Sequence, residues 1–141
     1  MCKTIISRLR SEGKIVLVVA SSGVAALLLP GGRTAHSRFI ILIDISDHST
    51  CEIRQGTQLA ELIKKTSLII WDEALMDHRN TFEAVDRTLQ DILRFENIYS
   101  HNKNFGGKTV LLGLIYFQGS VVVNDLEVVT ADNPLMIYYS L

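Results

Sequence analysis

Two adjacent acids, Asp72 and Glu73, stand directly after the apolar run Leu68, Ile69, Ile70 and Trp71. An apolar strand that stops at Asp-Glu is the pattern of a Walker B site, and the order of the acids has a chemical reason. The first carboxylate holds Mg²⁺, an ion that keeps most of its waters and needs only one or two protein carboxylates plus substrate phosphates. The second orients the water that attacks the terminal phosphate. A solvated acidic turn explains the dipeptide taken alone; the buried strand before it, inside an α/β pattern, favours the site.

A nucleotide site of this kind also needs a Gly-rich loop with a lysine, because backbone N–H groups and one ammonium cradle the phosphates. The pattern G-x-x-x-x-G-K-[ST] does not occur in the 141 residues. Its nearest counterpart, residues 102–109, has Asn102 in the first glycine position and runs through Gly107-Lys108-Thr109 into a strand instead of a helix, so it reads as a decoy. Lys3-Thr4 has the composition of such a loop's tail, with only Met1 and Cys2 before it. His48-x-x-Cys51 offers two metal-ligand types but no second pair at suitable spacing, and reads as a solvated loop. Asp77-His78-Arg79 reads equally as a sensor of the nucleotide or as the charged start of a helix.

The elements that must position the acids follow from periodicity. Ile5, Ile6 and Leu9 recur at helical spacing, and Gly13 follows where a helix C-terminus favours a left-handed residue. Residues 14–20 form an Ile/Val/Leu run without alternation, as in a parallel strand covered on both faces. Ser21-Ser22-Gly23 breaks it, a short helical run over residues 24–29 ends at Pro30-Gly31-Gly32, and a polar loop over residues 33–38 follows. Residues 44–56 read as an irregular connection, Thr57 as the N-cap of a helix carrying Leu59, Leu62 and Ile63, and residues 67–71 as the next strand. Asn80 to Glu83 spaces like a capping box ahead of Phe82, Val85, Leu89, Ile92 and Leu93 on one helical face. A polar loop over residues 97–107 then leads to a strand over residues 108–115. Helices alternating with buried strands predict an α/β fold, a parallel sheet flanked by helices, with sites at the strands' carboxyl ends.

Composition bounds the rest. At 141 residues and 48% apolar content the chain suits one core, with roughly two thirds of its unfolded surface buried, and it excludes a disordered chain. Its apolar runs fall far short of the roughly 18 residues a membrane-spanning helix requires, so no membrane partner is expected. Cys2 and Cys51 are too few and too isolated for a disulfide framework, and a reducing compartment is the default. The net charge of −1 hides +5 over residues 1–40 and −6 over the remainder, so the first third is the part suited to face phosphate.

Three segments together resemble one family. VASSGVAALLLPGGRTAHSRF (residues 19–39), LIIWDEALM (residues 68–76) and FGGKTVLLG (residues 105–113) occur in the order seen in the petite-integration-frequency type of DNA helicase, including its Helitron-transposon relatives. The resemblance covers residues 3–113. It implies an incomplete RecA-like P-loop NTPase domain over residues 1–118 and a divergent tail over residues 119–141. It further implies a superfamily-one enzyme whose two RecA-like domains hydrolyse ATP with Mg²⁺ and move 5′ to 3′ along single-stranded DNA. Repair, recombination or transposon replication would be its setting, and the nucleus or mitochondrion its location.

Position by position, the resemblance makes Asp72 the magnesium ligand and Glu73 the water-activating acid. Gln118 becomes the residue that senses the γ-phosphate. Residues 21–25 and 34–39 match motif Ia, which lies along the DNA strand. Ser22, Thr34 and Ser37 then bond phosphate oxygens, Arg33 and Arg38 supply charge, and His36 or Phe39 stacks on a base. Blander roles stand beside these: a helix N-cap for Ser22 and a loop-stabilising hydrogen bond for His36. Where the family reads Gly-Gly-Asp-Phe-Arg-Gln, this chain reads Gly113-Leu114-Ile115-Tyr116-Phe117-Gln118, and Leu75 replaces a proline. With neither phosphate loop nor second RecA-like domain in the 141 residues, the chain alone is expected not to hydrolyse ATP. The alternative is a non-catalytic remnant that at most binds single-stranded DNA or a protein partner.

Overall fold

The computed structural model describes the backbone of residues 2–118 and 121–130, and the side chains of residues 3–113 and 128–130. The elements run α1 (Cys2–Ser11), β1 (Ile15–Ala20), α2 (Gly23–Leu28), β2 (Arg33–Thr34), α3 (Ala35–Phe39), α4 (Gln58–Lys65), β3 (Thr66–Asp72), α5 (Arg79–Leu93), β4 (Thr109–Gln118) and β5 (Val121–Val129). They build one five-stranded sheet in the order β2-β1-β3-β4-β5. The first three pairings are parallel and β4-β5 is antiparallel. The α/β fold with a largely parallel sheet is therefore the one the sequence predicts.

Strand pleating divides the apolar residues between two layers. Val16, Val18, Ile70 and Leu111 turn to one face and meet Ile6 of α1. Leu17, Val19, Ile69, Trp71, Val110 and Leu112 turn to the other and meet Phe39 of α3, Ala60 and Ile63 of α4, and Phe82, Val85, Leu89 and Ile92 of α5. Strands covered on both sides cannot alternate apolar with polar, which is why β1 and β3 read as continuous apolar runs. Gly13, at φ +77°, lets Lys14 N–H return to Leu9 O at 3.0 Å and ends α1 before β1 begins.

Several boundaries differ from the sequence reading. The polar loop over residues 33–38 is instead β2 and α3, because Thr34 caps a helical turn whose Ala35 and Phe39 both reach the core. Asn80 does not cap α5: the cap is His78, two residues earlier, whose Nδ1 accepts from Asn80 N–H at 3.1 Å, and Glu83 pairs with Arg79 at 2.7 Å. Residues 97–107 contain two short 3₁₀ turns, Ile98–Asn102 and Asn104–Gly107. The stretch labelled a divergent tail contributes β5, which pairs with β4 from Gln118↔Val121 to Val110↔Val129. Residues 119, 120 and 131–141 of that stretch lie outside the described residues.

The irregular connection over residues 44–56 is tied to α5 by hydrogen bonds that each join a side chain to a backbone group. Arg87 donates to Ser49 O at 2.6 and 3.0 Å, Thr88 Oγ1 accepts from Cys51 N–H at 2.8 Å, and Gln55 Nε2 donates to Ile92 O at 3.1 Å. Cys51 is therefore buried, not part of a solvated loop. Among the described residues no helix is long and apolar enough to cross a membrane.

Burial pushes the Cys51 thiol up from its ordinary 9.0 to about 11, against smaller opposing effects of Thr88 and Arg87. Below pH 9 the folded and unfolded chains both hold this proton; between about 9 and 11 only the folded chain does, so stability falls with rising pH there. Urea titrations should show a steeper alkaline loss for the native sequence than for Cys51→Ala. Iodoacetamide at pH 8 should label the Cys51 peptide far more slowly in the folded chain than in urea. Equal labelling rates in both states would contradict the burial.

Candidate functional site

Parallel pairing points the carboxyl ends of β1, β2 and β3 the same way. Ala20 is level with Thr34 on one side and with Asp72 on the other. The turn after β1, the start of α3 and the Asp72-Glu73 pair thus share one sheet edge, where ligands of open α/β sheets bind.

Asp72 ends β3 half-buried, and its Oδ1 accepts from Glu73 N–H at 3.0 Å. Directly across lies Gly113 of β4. A Cβ on Gly113 would stand 2.4 Å from Asp72 Oδ1. Only glycine leaves the carboxylate its place, so Gly113 belongs to the site; its signal was its position in the third matching segment. Among the described residues no group of three or more His, Cys, Asp or Glu forms a metal cage. One half-buried carboxylate with glycine-made space beside it nevertheless suits Mg²⁺, which takes few protein ligands and completes its shell with water and phosphate.

Glu73 sits in left-handed backbone, φ +53° and ψ +39°, where the strand turns into the 3₁₀ turn Ala74–Met76. Such a conformation in a non-glycine residue needs support from its surroundings. Ser21 Oγ reaches the Glu73 carbonyl at 2.8 Å, Ser22 Oγ donates to Glu73 Oε1 at 2.6 Å, and Ser22 N–H lies 3.3 Å from the same oxygen. Ser22 Oγ also accepts from Ala25 N–H at 3.2 Å, so it caps α2 while holding the acid.

Asp77 completes this arrangement. It is 8% exposed, and its Oδ2 accepts from Trp71 Nε1 at 2.9 Å and from Ser21 Oγ at 2.5 Å. Sequence reasoning did not single out Ser21 or Trp71, and it left Asp77 between two readings. A hydrophilic Asp-His-Arg run gives no sign that its first carboxylate turns inward.

The remaining candidates divide. Thr34 Oγ1 accepts from Ser37 N–H at 3.3 Å, capping α3, while Ser37 is exposed and His36 half-buried. Phe39 is corrected: fully buried, it stacks on Trp71 at 5.8 Å between centroids and has no face for a base. Arg33 is exposed beside Arg38. Among the described residues the buried Nε of Arg38 has no hydrogen-bond partner. Burial first, and Arg33 second, lower the pKa of Arg38. Gln118 is not brought to this edge: it pairs with Val121 at the far end of β4, five residues past Gly113. At the usual rise that is about 17 Å along the strand. Its side chain lies outside the described residues. Lys108 is at the opposite end of the sheet, its ammonium donating to Lys64 O at 2.8 Å and Thr66 O at 2.7 Å, so it closes the end of α4 and cradles no phosphate.

Comparison with known proteins gives a consistent picture. The profile described as PIF1-like helicase matches residues 1–131. The ATP-dependent DNA helicase Pif1 of Campylobacter jejuni is 28% identical over 128 residues, 86% of this chain and 26% of that protein. The ATP-dependent DNA helicase PIF4 of Trypanosoma brucei brucei is 31% identical over 90 residues, 61% of this chain and 11% of the relative. Among solved structures, Bacteroides Pif1 bound to ssDNA superposes with TM-score 0.60 at 29% identity, covering 75% of this chain and 24% of that one. Bacteroides sp. Pif1 in complex with ADP-AlF4 gives TM-score 0.59 at 31% identity, covering 78% and 24%. The chain spans about a quarter of the length of the Campylobacter and Bacteroides proteins.

The contact between Gly113 and Asp72 has a measurable consequence. Gly113→Ala should lower stability by about 1–3 kcal/mol in urea titrations, the usual cost of overpacking. Adding Asp72→Ala should recover most of that loss, since the alanine methyl then meets no carboxylate. Two additive losses would show that the crowding at Gly113 does not involve Asp72.

Proposed function

The chain belongs to the PIF1-like helicases, and from that premise we propose that its carboxyl edge forms the nucleotide- and DNA-facing part of a first RecA-like domain in an ATP-dependent, 5′-to-3′ DNA helicase. Repair, recombination or transposon replication is the setting this reading favours, with action in the nucleus or mitochondrion. The observation that carries it is the shared level of Thr34, Ala20 and Asp72, which joins the basic, hydroxyl-rich segment to the acidic pair.

In this reading Asp72 holds Mg²⁺, which when bound offsets the charge of the nucleotide phosphates. Glu73 is the acid that orients the water, and its carboxylate is bonded to Ser22 at 2.6 Å. Ser22, Thr34, His36 and Ser37 face the single strand, and Arg33 and Arg38 supply cations to its phosphates. The adjacency of Arg33 and Arg38 supports this, because two neighbouring cations suit the phosphates of a strand. The Bacteroides relatives bound to ssDNA and to ADP-AlF4 support the same two ligand classes. Gln118 plays no part in the reading, given its distance along β4.

We further propose that the 141-residue polypeptide by itself does not turn over ATP. It contains no G-x-x-x-x-G-K-[ST] loop, and it spans about a quarter of the length of the Campylobacter relative, named as an ATP-dependent DNA helicase. An arginine finger supplied from elsewhere is alone worth about 10³–10⁵ in rate.

Fluorescence anisotropy with labelled oligothymidylate tests the DNA reading. Affinity should be independent of ATP and fall with salt, and Arg38→Ala should weaken binding and flatten the log-log salt slope by about 0.7. Binding indifferent to salt and to Arg38 would overturn it. DNA-stimulated phosphate release by the purified chain would overturn the proposal of no turnover.

A further inference from the structure

The bond between Ser22 and Glu73 joins a proposed DNA contact directly to the proposed water-orienting acid. Ser22 Oγ stands 2.6 Å from Glu73 Oε1, and a hydroxyl has one proton to donate. One of its lone pairs is already engaged by Ala25 N–H. The hydroxyl can therefore serve the Glu73 carboxylate or a DNA phosphate oxygen, not both. The Glu73 backbone is meanwhile held at its N–H by Asp72 Oδ1, and once the hydroxyl turns away its carboxylate keeps only the long 3.3 Å contact to Ser22 N–H, so the mobile part is the carboxylate.

We infer that Ser22 is a positioning residue shared between two anions: without DNA its hydroxyl holds the Glu73 carboxylate, and a DNA phosphate that takes the hydroxyl releases that carboxylate to the water. The inference rests on the DNA and nucleotide reading above and adds its regulation. It makes occupancy by the strand and the freedom of the acid two sides of one equilibrium. Coupling of this kind is reciprocal: if DNA displaces Glu73 from Ser22, then removing Glu73 must favour DNA.

That reciprocity can be measured by anisotropy on the 141-residue chain without ATP turnover. Glu73→Gln and Glu73→Gly, the latter suited to the positive φ, should bind oligothymidylate about tenfold more tightly, the factor expected when a charge-assisted hydrogen bond no longer competes. Asp72→Asn removes an equal charge one residue away without touching Ser22 and should give a clearly smaller gain. In a Ser22→Ala background the gain from Glu73→Gln should vanish, and in Ser22→Thr, which keeps the hydroxyl, it should persist. Circular dichroism melts identify any variant that has lost its fold.

An equal gain from Asp72→Asn, or a gain that survives Ser22→Ala, would overturn the inference in favour of general charge repulsion. If the native sequence binds in a salt-sensitive way but Glu73 substitutions do not tighten it, the shared hydroxyl fails and the DNA reading stands. If neither the native chain nor any folded variant binds, the DNA reading fails and this inference falls with it.

Discussion

A single buried carboxylate holds the carboxyl edge of the sheet together. Asp77 accepts from the Trp71 indole at one side and from Ser21 at the other, joining β3, the turn after β1 and the start of α5. A carboxylate this buried is tolerated only with hydrogen-bond donors in place, so the three segments are mutually obligatory. Trp71 extends the constraint, because its ring lies 5.8 Å from Phe39 and 4.6 Å from Phe82. Through one indole, the helix that carries His36 and Ser37 is packed against the strand that presents Asp72.

The chemistry follows from that frame. With Trp71 and Asp77 fixed, residues 72–77 must turn within a few positions, and Glu73 takes the left-handed backbone that the turn requires. Its carbonyl then faces Ser21 and its carboxylate faces Ser22. Gly113 supplies the remaining condition, a side-chain-free position beside Asp72. The acids are thereby aimed by packing at a distance from them, and loss of a core contact would be felt as loss of geometry at the edge.

What the sequence disclosed tracks how local the cause was. Apolar runs covered on both faces located β1, β3 and β4, and a helical stripe located α5, because each signal is contained in its own residues. Asp72 and Glu73 were legible for the same reason. Phe39 was misread because a basic, hydroxyl-rich segment invites a role in solvent, whereas its ring is drawn into the core by Trp71, 32 positions away. Asp77 stayed between two readings, and Ser21 was only one position of a matched segment, because their meaning lies in a bond across 56 positions. At the end of β4, Leu114, Ile115, Tyr116 and Phe117 replace the family's Gly-Asp-Phe-Arg with strand-favouring residues, and the backbone continues as a strand that β5 then pairs. That local propensity was visible, but the pairing partner was not.

Asp77 and Ser21 act as one unit beneath the acidic pair. A double-mutant cycle of Ser21→Ala and Asp77→Asn tests it, with urea unfolding followed by the emission of Trp71, the single tryptophan in the chain. Residues in one buried network show coupling of about 0.5–3 kcal/mol, and this account predicts at least about 1 kcal/mol, with the double substitution costing less than the sum of its parts. Additivity within about 0.5 kcal/mol would contradict it, and would mean that the edge is held by its strands alone.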